Sequence, residues 1–289
     1  MKEFALEGYC DLHTHSYYSD GTLSPRQLLQ EAEKLGLTAL VLCDHNTVRG
    51  LPEFLEAGKN SSVEAVLGVE FSVDYAQKEL HILALYVQEQ YFDRIEAMME
   101  QARQCKERSN IELIQALRAA GLAIDYASVK EHSRGFVNRA HIAAELTRLG
   151  YTESAQEAFK KYLSPKLGYY KPPERIDAFE AIRFIKSIGA VAVLAHPFLN
   201  LKEEAAVRTF LQQAVPCGLD AMETLYPKYD RQTTLLAAAL AEEFGILPSG
   251  GSDFHGDNKP DIGLGVGRGE LRVPSKYADD LKQKSGLFF

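Results

Sequence analysis

Short apolar runs alternate with amphipathic helical stretches in both outer parts of this chain, and that alternation narrows the fold more than any other feature. Runs at residues 9–12, 38–43, 66–69, 81–87, 190–195, 219–222 and 246–248 are too short for helices and read as strands. Helical patterns occupy 25–35, 51–58, 177–187, 203–214 and 229–244. The first of these opens at Ser24-Pro25-Arg26-Gln27, a capping box with proline at the first helical position, and stops at Gly36. Strands separated by helices imply a mainly parallel α/β sheet with the helices outside. About seven strands suit a closed or nearly closed barrel, with an open doubly wound sheet as the fallback.

The rhythm breaks between residues 91 and 170. Ile95, Met98, Met99, Ala102 and Cys105 recur at helical spacing, as do Ile111, Ile114, Leu117 and Leu122. The expectation is a helical insertion over 91–170 in a barrel built from 1–90 and 171–289. Gly263, Gly265, Gly267 and Gly269 open no helix, so they read as a turn-rich connection and not as a phosphate-binding loop.

Charge and composition exclude several classes. The longest wholly apolar stretch, 190–195, falls far short of the roughly 20 residues that a membrane helix needs. The first twenty residues hold no apolar run flanked by positive charge, so the expectation is a soluble, cytoplasmic protein. Four scattered cysteines form no CxxC pair, and Cys10 and Cys43 lie in strand-like runs as core thiols. The formal charge of −8 disfavours general binding of long nucleic acid. Residues 128–175 nevertheless carry nine Lys or Arg against five Glu, a balance that suits capture of a compact anion.

The chemistry is carried by where histidines and acids fall. His13 and His15 follow the first strand, His45 the second, and Glu70 ends Leu-Gly-Val-Glu. His196 ends Val-Leu-Ala-His, and Asp253 and His255 follow the last clear strand. Parallel barrel strands deliver their C-terminal ends to one face, so these groups should converge there. His81 begins a run, so the same reasoning does not reach it. Residues i and i+2 of an extended segment point the same way, so His13-x-His15 and Asp253-x-His255 can each grip one ion. Imidazole with carboxylate suits Mn, Fe or Zn, whereas Mg or Ca prefers oxygen alone. Asp20, in Ser19-Asp20-Gly21, reads equally as a turn residue, and Asp44 should point away from the ligands and support them.

Together these motifs resemble the PHP family, named for polymerase and histidinol phosphatase. The resemblance rests on Asp-Leu-His-Thr-His with Ser-Asp-Gly-Thr-Leu-Ser-Pro, then Asp-His-Asn-Thr, Gly-Val-Glu-Phe-Ser, the His81 strand, Ala-His-Pro and Gly-Ser-Asp-Phe-His, in that order over nearly the whole chain. It implies a distorted (β/α)7 barrel, similar to a TIM barrel, holding two to three divalent ions (Mn2+, Fe2+ or Zn2+). His13, His15, Glu70 and Asp253 would take the first, Asp20, His45 and His255 the second, and Glu70, His81 and His196 the third. Asn138-Arg139-Ala140-His141 and Phe159-Lys160-Lys161-Tyr162 look like the branch acting on 3′,5′-bisphosphonucleotides or trimming short oligoribonucleotides from the 5′ end. In that branch the insertion binds substrate, so Arg139 and His141 would hold phosphate, with Lys160 or Lys161 as further candidates.

The implied reaction is in-line attack on phosphorus by a hydroxide bridging two ions, with Arg139 neutralising charge and His196 available to relay a proton. Glu70, as the bridge, is the third residue expected to act directly. The implied partners are a small phosphate ester, a nucleotide or a short RNA, and neither long duplex DNA nor a membrane. Two rivals share the ligand pattern: a histidinol-phosphate phosphatase, and a non-catalytic PHP module supporting a polymerase. A metal-dependent amidohydrolase also begins with His-x-His, but adds a metal-bridging lysine at a strand end that has no counterpart here.

Overall fold

The computed structural model describes residues 8–133 and 137–286, so residues 1–7, part of the stretch read for a leader, lie outside them. The strands are β1 (Tyr9–Thr14), β2 (Ala39–Leu42), β3 (Glu64–Tyr75), β4 (Lys78–Leu85), β5 (Ile176–Asp177), β6 (Val191–Leu194), β7 (Ala221–Leu225), β8 (Leu247–Gly250) and β9 (Val273–Pro274). They lie in the order β8-β7-β6-β4-β3-β2-β1-β9, with β5 beside β3. The segment after β8 runs along β1: Asp253 N donates to His13 O at 2.8 Å and His15 N to Phe254 O at 3.0 Å. Glycine is required at that seam, because a Cβ on Gly251 would collide with His13. The sheet is thereby nearly closed into a distorted (β/α)7 barrel.

Helices α1 (Pro25–Lys34) and α2 (Leu51–Gly58) follow β1 and β2. Then come α3 (Phe92–Ala119), α4 (Tyr126–His132), α5 (Arg139–Arg148) and α6 (Ala155–Ala158). The later helices are α7 (Ala178–Ser187), α8 (Pro197–Asn200), α9 (Glu204–Ala214), α10 (Arg231–Glu243) and α11 (Ser275–Lys284). The capping box at Ser24 is formed as read, with Ser24 Oγ accepting from Gln27 N. Among the described residues no helix is long and apolar enough to cross a membrane.

Two compact units result: residues through Glu96 together with those from Ile176 onward, and Ala97–Arg175. The division falls inside the first turns of α3 and not at residue 91, because one continuous helix carries the chain from one unit into the other. The second unit has its own apolar core, including Leu113, Leu117, Ile142, Leu146 and Leu163.

The run that includes His81 departs from the mainly parallel pattern, since β4 pairs antiparallel with both β3 and β6. Only Ala76 and Gln77 separate β3 from β4, both with positive φ (49° and 64°), as a tight hairpin demands. A parallel return would need a crossover of a dozen or more residues. Glu70 accordingly lies in the middle of a long β3 and not at its end.

Candidate metal centre

Strand periodicity builds the site. Val66, Leu83, Leu85 and Ala221 share one buried apolar cluster. The period of two that places them there also turns Glu70 on β3, His81 on β4 and Glu223 on β7 toward the same interior. Apolar side chains thus fill one end of the barrel, and ionisable ones the other. The antiparallel sense of β4 accounts for His81: the start of β4 lies beside the far half of β3, and His81 pairs with Ser72.

The remaining groups come from strand ends. His13 lies where the β1–β2 register is irregular, between Asp11 and Thr14, and His45 follows β2 and bridges to Glu70. His196 and Asp253 adopt positive φ (28° and 55°), a conformation costing a non-glycine residue about 1–3 kcal/mol. Irregular register and backbone strain of this kind gather at functional sites, where they re-aim side chains.

Glu70 is the hub. Its Oε2 lies 3.3 Å from His13 Nε2, 3.2 Å from His15 Nε2 and 3.1 Å from His45 Nδ1. Its Oε1 lies 2.8 Å from His81 Nδ1 and 3.3 Å from His196 Nε2. Asp253 Oδ1 is 3.6 Å from His13 Nε2 and 3.3 Å from His15 Nε2. Asp20 Oδ1 is 3.2 Å from His255 Nε2 and 3.9 Å from His45 Nε2. All nine residues expected at the metal site therefore meet in one place. Potential ligand atoms within 4.8 Å of one another form the sets His15/Asp20/His45/His255, His13/Glu70/His196 and His45/Glu70/His81. A further set adds Cys43 to His13 and His15. Burial pushes the Cys43 thiol well above its ordinary range, so it stays a protonated core group donating to Thr14 O.

The donor set fits divalent ions. His15 Nδ1, His45 Nδ1, His81 Nδ1 and Glu70 Oε2 are buried and make no hydrogen bond, even where the nearest partner is at hydrogen-bond distance. His13 Nε2 and His15 Nε2 approach to 3.0 Å. Ligands arranged around a shared ion aim past one another in this way. An unpaired buried polar atom costs about 1–3 kcal/mol, so four of them would consume much of a domain's stability unless something bound them.

Electrostatics agrees. Burial opposes the charge on Glu70, but His45, His81 and His13 outweigh it and hold the carboxyl well below its usual range. Burial likewise disfavours the imidazolium of His81, yet the Glu70 charge lifts it to about 10. His45, where burial dominates, falls to about 3. One carboxylate is being contested by several imidazoles, and a divalent ion would displace their protons.

Buried partners absent from the sequence reading set the orientations. Glu223 accepts from His13 Nδ1 at 2.8 Å and from His196 N at 2.6 Å. Asn200 Nδ2 donates to Glu79 O, so its Oδ1 is left to accept from His196 Nδ1 at 2.8 Å. His255 Nδ1 lies 2.8 Å from Asp253 O. These acceptors place the proton on Nδ1 in His13, His196 and His255, leaving each Nε2 lone pair for an ion. Asp44 holds Ser16 and Ser19 by hydrogen bonds of 2.6–2.8 Å, the supporting position expected of it. Glu223 was discoverable: an acid two residues beyond Ala221 in an apolar strand lies on the inward face.

The four residues expected to bind substrate belong to the other unit. Asn138 caps α5, and His141 closes the capping box by accepting from Asn138 N at 3.2 Å. The Arg139 guanidinium lies 4.3 Å from the centre of the Tyr170 ring, and Nη1 donates to Leu163 O at 3.4 Å. Lys160 is exposed, and Lys161 pairs with Glu157 at 2.5 Å.

Residues 11–168 match the model of the PHP domain. The chain is 32% identical to a 5′-3′ exoribonuclease of Haemophilus influenzae over 245 residues, 85% of this chain and 89% of the relative. It is 29% identical to a phosphoribosyl 1,2-cyclic phosphate 1,2-diphosphodiesterase of Eggerthella lenta over 263 residues, 89% and 98% of the two chains. A crystal structure of a protein from Bifidobacterium adolescentis superposes with a TM-score of 0.84 at 28% identity, covering 98% of both chains. With its histidine and carboxylate sets converging at one end of such a barrel, this chain belongs to the PHP family and is a metal-dependent hydrolase of phosphate esters.

Proposed function

We propose that the substrate is a nucleotide: the enzyme removes the 3′-phosphate of a 3′,5′-bisphosphonucleotide, trims short oligoribonucleotides from the 5′ end, or does both. The observation carrying the metal chemistry is Glu70, whose two oxygens face three and two imidazoles respectively, as a carboxylate bridging two ions would. The nucleotide assignment is supported by Asn138-Arg139-Ala140-His141 and by likeness to the Haemophilus exoribonuclease.

Bound divalent ions supply an activated water and neutralise phosphoryl charge. The chain's own residues do the rest. Glu70, His13, His15, Asp253, Asp20, His45, His255, His81 and His196 hold the ions, and Glu223 and Asn200 orient His13 and His196. Asn200 holds the Nδ1 proton of His196, so the Nε2 lone pair faces the centre, available as a ligand or as the proton relay. Arg139 offers a planar fork matched to phosphate oxygens and Lys160 and Lys161 contribute further positive charge, while His141, whose Nδ1 accepts the capping bond, offers Nε2–H as a donor.

A second reading, cleavage of a ribose cyclic phosphate, draws support from the Eggerthella relative, 98% of whose length is covered. Phosphate release from 3′,5′-bisphosphoadenosine and mononucleotide release from a 5′-phosphorylated oligoribonucleotide, both with added Mn2+, should distinguish them, alongside ring opening of phosphoribosyl 1,2-cyclic phosphate. Histidinol phosphate serves as the fourth substrate. Activity on either of the first two, lost in Arg139→Ala, is the expected result; activity on the cyclic phosphate or histidinol phosphate alone would replace the nucleotide assignment.

A further inference from the structure

Asp253 carries an ammonium as well as facing two imidazoles. Its Oδ2 accepts from Lys259 Nζ at 2.7 Å and from Tyr226 OH at 2.8 Å. Its Oδ1 is turned the other way, 3.3 Å from His15 Nε2 and 3.6 Å from His13 Nε2. Two donors therefore claim one oxygen, and the imidazoles face the other.

The lysine is held there. Its side chain is 31% exposed, and it leaves from a short turn tied to the Asp20 loop. Asn258 Nδ2 donates to Asp20 O at 2.8 Å, Asp257 N to Thr22 Oγ1 at 3.1 Å, and Lys259 N to Gly256 O at 3.0 Å. Tyr226 is buried, with its ring 5.3 Å from that of His196. The turn and the residue that follows β7 thus converge on one carboxylate oxygen, and the Asp20 loop braces the turn.

A carboxylate without such partners can close on a divalent ion with one oxygen or with both. An ammonium on Oδ2 prevents the second contact, and its positive charge opposes the ion's. We propose that Lys259, assisted by Tyr226, is a positioning residue that keeps Asp253 a one-oxygen ligand and weakens its grip on the metal. This rests on the reading of Asp253 as a ligand. Tight binding is given up so that the ion retains coordination capacity for the substrate phosphoryl group.

The test is calorimetric titration of Mn2+ into metal-stripped full-length protein, followed by steady-state kinetics on p-nitrophenyl phosphate. Lys259→Met should bind Mn2+ about tenfold more tightly and turn over about tenfold more slowly at little-changed KM. Lys259→Arg, which keeps charge and donor, should return both values toward wild type. Tyr226→Phe should shift Mn2+ affinity in the same direction by about threefold, and it decides the matter if Lys259→Met fails to fold. Unchanged or weakened Mn2+ binding in the decisive variant, while Asp253→Asn binds poorly, overturns the role of Lys259. Unchanged binding in Asp253→Asn instead sinks the ligand reading, and the proposal with it.

Discussion

The barrel centre and the N-terminus of α5 both concentrate histidine and charge, but they are stabilised in opposite ways. In the barrel the partners are distant in sequence: His13 and Glu223 are 210 positions apart, and His196 and Glu70 are 126 apart. Six of the nine expected ligands there are buried, and several candidate ligand atoms make no hydrogen bond within the protein. In the insertion the partners of His141 and Lys161 are local: His141 closes a cap on Asn138 three residues away and Lys161 pairs with Glu157 four residues away, while Arg139 reaches Leu163, 24 positions on. A site assembled by topology is intolerant of any missing member, whereas one assembled by local helix rules can lose a member and keep its shape.

That contrast can be broken most severely at Glu70. Glu70→Gln should lose activity on the order of a thousandfold and retain little Mn2+ after gel filtration, measured by elemental analysis. Full turnover with normal metal content would show that no carboxylate bridge is needed.

Glu223→Gln tests whether distant support matters nearly as much as ligation. It keeps the shape but removes the charge facing His13 Nδ1, and should cost about 10- to 100-fold in metal affinity. An unchanged chelator-competition curve would reduce Glu223 to packing.

Arg139→Ala probes the other region. Losing a charge-assisted contact of about 1.5–3 kcal/mol should raise KM for a nucleotide substrate roughly 10- to 100-fold, with metal content unaltered. A fall in bound metal would contradict the division of labour between the two regions.

The smallest effect is expected at His141. His141→Ala should lower stability by about 1 kcal/mol through loss of half the capping box, read from the urea midpoint, while His141→Gln restores the cap. If His141→Gln is stable yet still impaired in KM, the imidazole binds phosphate as well as capping the helix.

Much of this protein could be read from local pattern. Strand and helix alternation, the capping box at Ser24, His13-x-His15 and Asp253-x-His255 all express periods of two or 3.6 residues, which depend on near neighbours alone. The helical character of the insertion followed for the same reason. The β3–β4 hairpin did not, because Ala76-Gln77 lacks the asparagine or glycine that usually marks a two-residue turn. His81 therefore joins the centre through a strand reversal that nothing local announces.

The sequence alone determined which residue types were available to bind metal and that most of them sit where parallel strands end. Tertiary structure alone decided that Glu223 and Asn200 set the tautomers of His13 and His196, and that Lys259 rests on Asp253. The physical reason is range. Backbone periodicity acts over a few residues, but a hydrogen bond between β1 and β7 exists only once sheet order and closure have brought them together.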